Sequence, residues 1–313
     1  MEINATKYPR VIVLILSYNG KSLLDESIST YLANDYPNFE VAVIDNGSTD
    51  GTKEYVEKNY PGVTLLRTDV NLKYSGGFNF GLSYAFEKQR ADYVLITNND
   101  VKAGSKVLSS LVATAEKDNN IGFVTGKVYF YENPETIQSV GYYEDPVKWI
   151  GGHRGDRVKD TGQFEEELEL PYSDDIFMLV RKQVYDAVGG YNTIFAFQGE
   201  QLDWQVRAKQ EGFRVFYSPR AMIWHKDSIT IGKSSPFKVF YDVRNTLLLR
   251  LLHKDQAYFR VYVRWHFKNM VFRPLLRSLT HLRFKYAFKI IHGYLSFLSW
   301  GFRNKKLTLK HFI

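Results

Sequence analysis

Four apolar runs constrain this chain more than any other feature: VIVLILS (11–17), FEVAVID (39–45), VTLLRT (63–68) and ADYVLITNND (91–100). The first two are continuous rather than alternating, which is the pattern of strands buried on both faces, as in a parallel sheet. Between the runs lie helix-like segments. Residues 21–34 place Leu23, Leu24, Ile28 and Leu32 on one side, residues 52–59 form a short helix, and GGFNFGLSYAFEKQ opens a helix from its glycines. Strand–helix alternation at this spacing predicts an α/β fold with a doubly wound, mostly parallel sheet flanked by helices. Such sheets bind ligands beyond the carboxyl ends of their strands. The polar clusters SYN, DNGSTD and TNND all fall at those ends, so together they define a cleft.

Beyond residue 120 the pattern is more mixed. IGFVTGKVYFY reads as strand, residues 141–170 as a loop-rich, locally acidic stretch (EEELE), and DIFMLVRKQVYDAVGG as a strand then a helix stopped by Gly189-Gly190. There is no Cys, which excludes disulfides, thiolate catalysis and Cys-ligated metals. The segment MEINATKYPR lacks the apolar run of a secretory leader.

Charge divides the chain unevenly. Residues 1–235 carry 25 Lys/Arg against 32 Asp/Glu, whereas residues 236–313 carry 16 against 2, with 17 aromatic residues and 5 of the 7 His. A boundary is therefore expected near Ser234-Ser235-Pro236, followed by a helical, basic and aromatic extension. Its longest uncharged stretch, IIHGYLSFLSWGF (290–302), is shorter than the roughly 20 residues needed to cross a bilayer. Interleaved Arg/Lys and aromatic residues fit a helix lying on an anionic membrane surface. No nucleic-acid module is recognisable, so no nucleic-acid partner is expected. In residues 237–251, Phe237, Phe240, Tyr241, Leu247, Leu248 and Leu251 are expected to cover the first domain instead.

Three clusters carry chemistry. Asn98, Asn99 and Asp100 end a buried strand, where a carboxylate beside amides suits Mg²⁺ or Mn²⁺ that also holds a diphosphate; an Asn/Asp turn is the bland alternative. Asp45, with Asn46 and Ser48, is placed to bind a nucleobase or ribose, unless the segment is only a turn capped by Ser48 or Asp50. Lys73 lies close to Gly76, Gly77 and Gly81, glycines that would let backbone N–H groups approach phosphate. This is neither a Walker A loop nor a GxGxxG fingerprint. Downstream, FQGEQLDW (197–204) sets Glu200 and Asp203 on one helix face with Gln201 turned away.

In order and spacing these motifs resemble the family 2 glycosyltransferases of the GT-A fold. SYNG, VIDNGSTDGT, N-x₄-GGFNFG and a strand ending in NND are followed by GGYNTIFAFQGEQLDWQVRAKQEGFRVFYSP, similar to that family's acceptor-side block. R-x₄-G (Arg207–Gly212), the segment PRAMIWH (Pro219–His225) and YDVRN (241–245) continue the resemblance, the last toward bacterial rhamnosyltransferase-like members. The resemblance implies residues 1–235 as the GT-A domain, with about 1–120 as its nucleotide-sugar half and 121–235 as its acceptor half. It further implies nucleotide-sugar contacts at Ser17, Asn19, Asp45, Asn46, Ser48, Lys73, Gly77, Asn79, Asn98 and Asn99, and Asp100 with His225 at the metal or diphosphate.

The implied reaction is metal-dependent transfer, with inversion, of a sugar from a nucleotide-diphosphate donor, such as dTDP-rhamnose. The acceptor would be a hydroxyl of a lipid-linked or surface glycan, at the cytoplasmic face of the cell membrane. A carboxylate would take the hydroxyl proton. The family's E-D-x-D acid is here Gln201, which accepts no proton at neutral pH, so Glu200 or Asp203 is expected to serve. Gln201 and Asn98 leave open a silent sugar-nucleotide-binding protein. A nucleotidyltransferase would need an early glycine- and Arg/Lys-rich phosphate loop, which SYNGKS is not.

Overall fold

A computed structural model of the chain describes residues 8–226 and 235–311. Residues 1–7 and Ser234 at the expected boundary lie outside the described residues. Strands β1 (Val11–Ser17), β2 (Phe39–Asp45), β3 (Thr64–Arg67) and β4 (Tyr93–Asn98) are parallel. They lie in the order β4-β1-β2-β3, so the chain runs outward from β1 and then returns to its other side. This reversal opens the ligand crevice typical of such sheets at the carboxyl end of β1. Alternate residues of each strand enter opposite cores: Val11, Val13 and Ile15 on one face, Ile12 and Leu14 on the other. The continuous apolar runs follow from that double burial.

Helices α1 (Leu24–Leu32), α2 (Thr52–Asn59) and α3 (Lys73–Leu82) join the strands. Two sequence expectations change here. Leu32 is exposed, and Tyr31 takes the buried place on α1. Helix α3 begins at Lys73, before its glycines rather than from them.

The second half departs further from a plain parallel sheet. It comprises β5 (Val101–Ala103), α4 (Val107–Ala115), β6 (Ile121–Phe130), β7 (Ile137–Ser139), the hairpin of β8 (Tyr142–Asp145) with β9 (Trp149–His153), β10 (Leu168–Leu170), β11 (Phe177–Arg181), α5 (Lys182–Val188), α6 (Glu200–Gln210) and β12 (Arg214–His225). Strand β11 inserts between β4 and β6, antiparallel to both. Its start therefore lies on the same edge as the ends of β1, β2 and β4. The acidic stretch is partly anchored: Lys127 of β6 is buried and pairs with Asp160 at 2.8 Å and with Glu165.

Helix α7 (Pro236–His253) packs on this domain. Leu247 and Leu248 are buried in one cluster with Trp149, Phe195 and Val206, and Leu251 packs against it, as expected for these three, whereas Phe237 is exposed and Phe240 lies against His292. Helices α8 (Gln256–His266), α9 (Arg273–Thr280) and α10 (Phe284–Arg303) follow. Among the described residues no helix is long and apolar enough to cross a membrane.

Candidate active site

The strand register brings the three polar clusters together. Ser17 pairs with Asp45 across β1 and β2, and Leu16 with Asn98 across β1 and β4. The Asn99 amide donates to Ser17 Oγ at 3.1 Å. Two loops lock reciprocally: the Asn19 N–H donates to Ser48 Oγ at 2.9 Å, and the Thr49 N–H to Asn19 Oδ1 at 2.8 Å. Asp50 caps α2 by accepting from the Thr52 N–H, so neither Asp45 nor Ser48 is needed for that turn.

Asp100 and His225 meet through β-pairing. Strands β5 and β12 are antiparallel with Val101 opposite His225, which sets Asp100 beside the imidazole. Asp100 Oδ1 lies 3.2 Å from His225 Nε2, and both side chains are buried. Gln138 Oε1 faces His225 Nδ1 at 3.0 Å. Gln138 thus orients the ring so that its Nε2 edge faces the Asp100 carboxylate. That is the outer-shell support typical of a metal-ligating histidine, and the pair fits a divalent cation. Among the described residues no group of three His, Asp or Glu could hold one, so the two-ligand set suits an ion whose remaining oxygens come from a diphosphate. A cavity of about 220 Å³ lined by Phe130, Tyr131, Arg157 and Lys226 opens beside His225.

Several of the residues expected to contact the nucleotide make contacts within the scaffold. Asn46 is buried, donates to the Lys73 carbonyl at 3.0 Å and accepts from the Leu72 N–H at 3.0 Å, tying β2 to the start of α3. Gly77 faces the sheet: a Cβ there would lie 2.6 Å from Leu16 Cδ1 and 2.9 Å from Asn46 Nδ2, so its smallness serves helix–sheet contact. Asn79 clasps the Tyr191 backbone through both its N–H (2.8 Å) and its carbonyl (2.9 Å). Asp45 is fully buried with both oxygens engaged, by the Ser48 N–H at 2.9 Å and by Arg67. The Arg67 side chain is 40% exposed and stands in front of it, a residue the sequence did not single out. Lys73 is exposed on a left-handed backbone with φ 65°. Asn98 keeps its amide oxygen 3.5 Å from the Tyr74 hydroxyl.

The two candidate bases separate. Asp203 is buried, and its oxygens accept from Arg207 Nε at 2.8 Å and face His253 Nε2 at 2.8 Å. It joins α6 to α7, with both oxygens engaged there. Glu200, 3% exposed, leaves Oε2 with no hydrogen-bond partner. Burial, then the charge of Asp175, raises its pKa well above the usual carboxylate range. Asp175, which the sequence reading missed, is pushed up to about 7, first by burial and also by the charge of Asp174. The Tyr191 hydroxyl donates to it at 2.8 Å and opposes that rise. These aspartates precede β11, and only the antiparallel sense of that strand carries them to the cleft.

The turn before α6 is held from the far side. Gln198 (φ 66°) and Gly199 (φ 93°) are both left-handed, leaving the carbonyls of residues 197 and 198 outside the helix. Asn245 of α7 donates to both at 2.8 Å, and Arg244 donates to the Ile194 carbonyl at 2.9 Å. The RN of YDVRN is therefore a clamp on the turn that aims Glu200.

A mixed, mostly parallel sheet with a carboxylate–histidine pair and a second buried carboxylate site at one strand edge defines a GT-A glycosyltransferase. The chain belongs to the glycosyl transferase family 2, whose sequence model matches residues 12–189. It is 24% identical over 294 residues to the N-acetylglucosaminyl-diphospho-decaprenol L-rhamnosyltransferase of Mycobacterium tuberculosis, covering 87% of this chain and 94% of that one. It is 22% identical over 234 residues to the poly-beta-1,6-N-acetyl-D-glucosamine synthase of Staphylococcus aureus, covering 74% of this chain and 53% of that protein. Its fold is similar to that of the mannosyltransferase PcManGT of Pyrobaculum calidifontis, solved with GDP-Man and Mn²⁺. The TM-score is 0.58 at 15% identity, over 94% of this chain and 88% of that one.

Proposed function

We propose that the protein is an inverting, divalent-metal-dependent sugar transferase of cell-envelope glycan synthesis, with dTDP-rhamnose the first donor to test. It would act on a lipid-linked or polysaccharide hydroxyl. The carrying observation is the Asp100–His225 pair, steadied by Gln138, on the same sheet edge as the buried Glu200. Asp100 and His225 would hold Mn²⁺ or Mg²⁺, which when bound supplies charge stabilisation to the departing diphosphate. Glu200 takes the proton of the incoming hydroxyl as its oxygen attacks the anomeric carbon from the face opposite the leaving group. Ser17 and Asn99 fix the strand ends beneath the donor, and Arg67 offers a cation at the rim near the nucleotide. Likeness to the mycobacterial rhamnosyltransferase supports both the donor choice and a diphospho-lipid acceptor.

The first test is thermal shift with a panel of nucleotide sugars, with and without Mn²⁺. A bound donor at about 100 times its Kd stabilises by about 2.7 kcal/mol. The expected result is a metal-dependent shift for one nucleotide class, with slow donor hydrolysis. No shift and no turnover with any donor rejects the reading.

The C-terminal layer supports docking on the cytoplasmic membrane face. Helices α9 and α10 and the turn between them expose Leu276, Leu279, Leu282, Phe284, Phe288 and Leu295. Beside them are the exposed Arg273, Arg277, Arg283 and Lys285, and residues 256–313 contain no Asp or Glu. Apolar side chains among cations fit anionic lipid, each cation contributing about 1 kcal/mol near the surface. Triple replacement of Leu282, Phe284 and Phe288 by Ser is expected to lower co-sedimentation with phosphatidylglycerol vesicles at least tenfold, with vesicles of neutral lipid binding weakly throughout. Unchanged sedimentation refutes membrane docking by this face.

A further inference from the structure

A second set of buried groups lies beside the donor end. Around the Tyr142 phenol of β8 converge Asp174 and Asp175 from the segment before β11, with Glu200 and Gln201 from the first turn of α6. Ser139 donates to Asp174 Oδ2 at 2.5 Å, while its neighbour Gln138 holds His225, so β7 joins this cluster to the carboxylate–histidine pair. Tyr74 reaches the Asp175 carbonyl at 3.2 Å.

The hydrogen-bond inventory of the cluster is lopsided. Asp174 Oδ1, Glu200 Oε2 and Gln201 Oε1 are all without a partner, and Asp174 and Glu200 are only 5% and 3% exposed. All three orphan atoms are oxygens that accept. A buried unmet acceptor costs about 1–3 kcal/mol, so the site calls for a ligand rich in donors and free of negative charge. Lys238, whose charge acts on Glu200, is already paired with Asp242 at 3.1 Å and Gln198 at 3.2 Å. An anionic diphosphate does not fit this lining. A sugar with neighbouring hydroxyls does.

We infer that Asp174, Asp175, Glu200 and Gln201 form the subsite for the acceptor sugar, and that Asp175 and Glu200 act as one proton-accepting pair in place of the acid absent at position 201. The inference rests on the transferase reading for its chemistry, but not for its binding. The pair carries one proton when the acceptor arrives. The reacting hydroxyl gives its proton to the pair, its oxygen forms the bond to the anomeric carbon, and the bond from that carbon to the diphosphate breaks with its electrons leaving on the diphosphate. The pair then holds two protons and returns one to water as product departs. The groups facing Glu200 are Asp174 and Asp175 before β11, Tyr74 of α3, Tyr142 of β8, Tyr191, and Lys238 and Tyr241 of α7.

The test uses the full chain and the isosteric variants D174N, D175N and E200Q. Binding of octyl N-acetyl-β-glucosaminide is followed by thermal shift and ligand NMR, with and without dTDP and Mn²⁺. Wild type is expected to bind it, and D174N and E200Q to bind at least tenfold more weakly. Transfer from dTDP-rhamnose by E200Q is expected to fall between 10² and 10⁴-fold in kcat. For D175N, loss of the neighbouring charge moves the acidic limb of the kcat/KM profile about one pH unit lower, a shift that a merely structural role would not give. Melting curves from pH 5 to 8 check the fold. Wild type loses stability as pH rises from the ordinary carboxylate pKa toward 7, because the folded state keeps the proton longer, and D175N loses less. Glycoside binding lost in the variants, with no donor turned over by wild type, keeps the subsite and rejects the transferase reading. Equal glycoside binding by all proteins, or an unmoved pH profile with donor turned over, overturns the inference.

Discussion

Asp100→Asn is expected to reduce sugar transfer by about three powers of ten, equivalent to about 4 kcal/mol of transition-state stabilisation. The substitution keeps size and shape. The backbone bond from the Lys226 N–H to the Asp100 carbonyl, 3.0 Å, is untouched, so the β5–β12 pairing should survive. What is lost is one of the two side chains that, among the described residues, would meet the metal. The Mn²⁺ concentration for half-maximal activity should rise together with the fall in rate, while His225→Gln should give a smaller loss. Kinetics across a Mn²⁺ titration check this, with circular dichroism as the fold control. Full activity in Asp100→Asn would remove the metal site from this place.

Asp203→Ala should fail differently. Arg207 and His253 converge on this buried carboxylate. Removing the acid leaves the partly buried Arg207 against the Gly190 carbonyl (2.8 Å) and that of Val188, without its counter-charge. Breaking a buried pair from one side costs about 3–5 kcal/mol. The expected outcome is a lower melting temperature and a lower urea midpoint, with transfer per folded molecule retained at low temperature. Glu200→Gln should show the opposite pattern, with stability kept and rate lost. Should Asp203→Ala melt like wild type yet be inactive, the assignments of Asp203 and Glu200 would exchange.

The parallel half of the fold was legible because it is written locally. An unbroken apolar run such as VIVLILS reports two buried faces by itself, and the polar residues that end each run must then share an edge. The acceptor half depends on partners far apart in sequence. Gln138 finds His225 across 87 positions, Asn79 finds Tyr191 across 112, and Asp203 finds His253 across 50. No local period announces such pairs. DIFMLV read correctly as a strand, but its direction was not readable, and direction alone decides whether Asp174 and Asp175 face the cleft or the opposite edge. The same gap explains Asn46, Gly77 and Asn79. Their residue types suit phosphate and sugar, and equally suit a close helix–sheet contact or a backbone clasp. Only the position of β12 beside β5 could distinguish His225 from an ordinary core histidine.

The Asn245 clamp on the two left-handed residues before Glu200 bears on how this enzyme can be dissected or inherited. Cutting the chain at residue 235, where composition changes most sharply, would look like removing a detachable anchor. It would also release the carbonyls of Phe197 and Gln198, and with them the aim of the side chain meant to receive the proton. The C-terminal helices and the turn before Glu200 thus form one heritable unit. A donor-binding half could be exchanged between relatives more readily than this tail could be swapped.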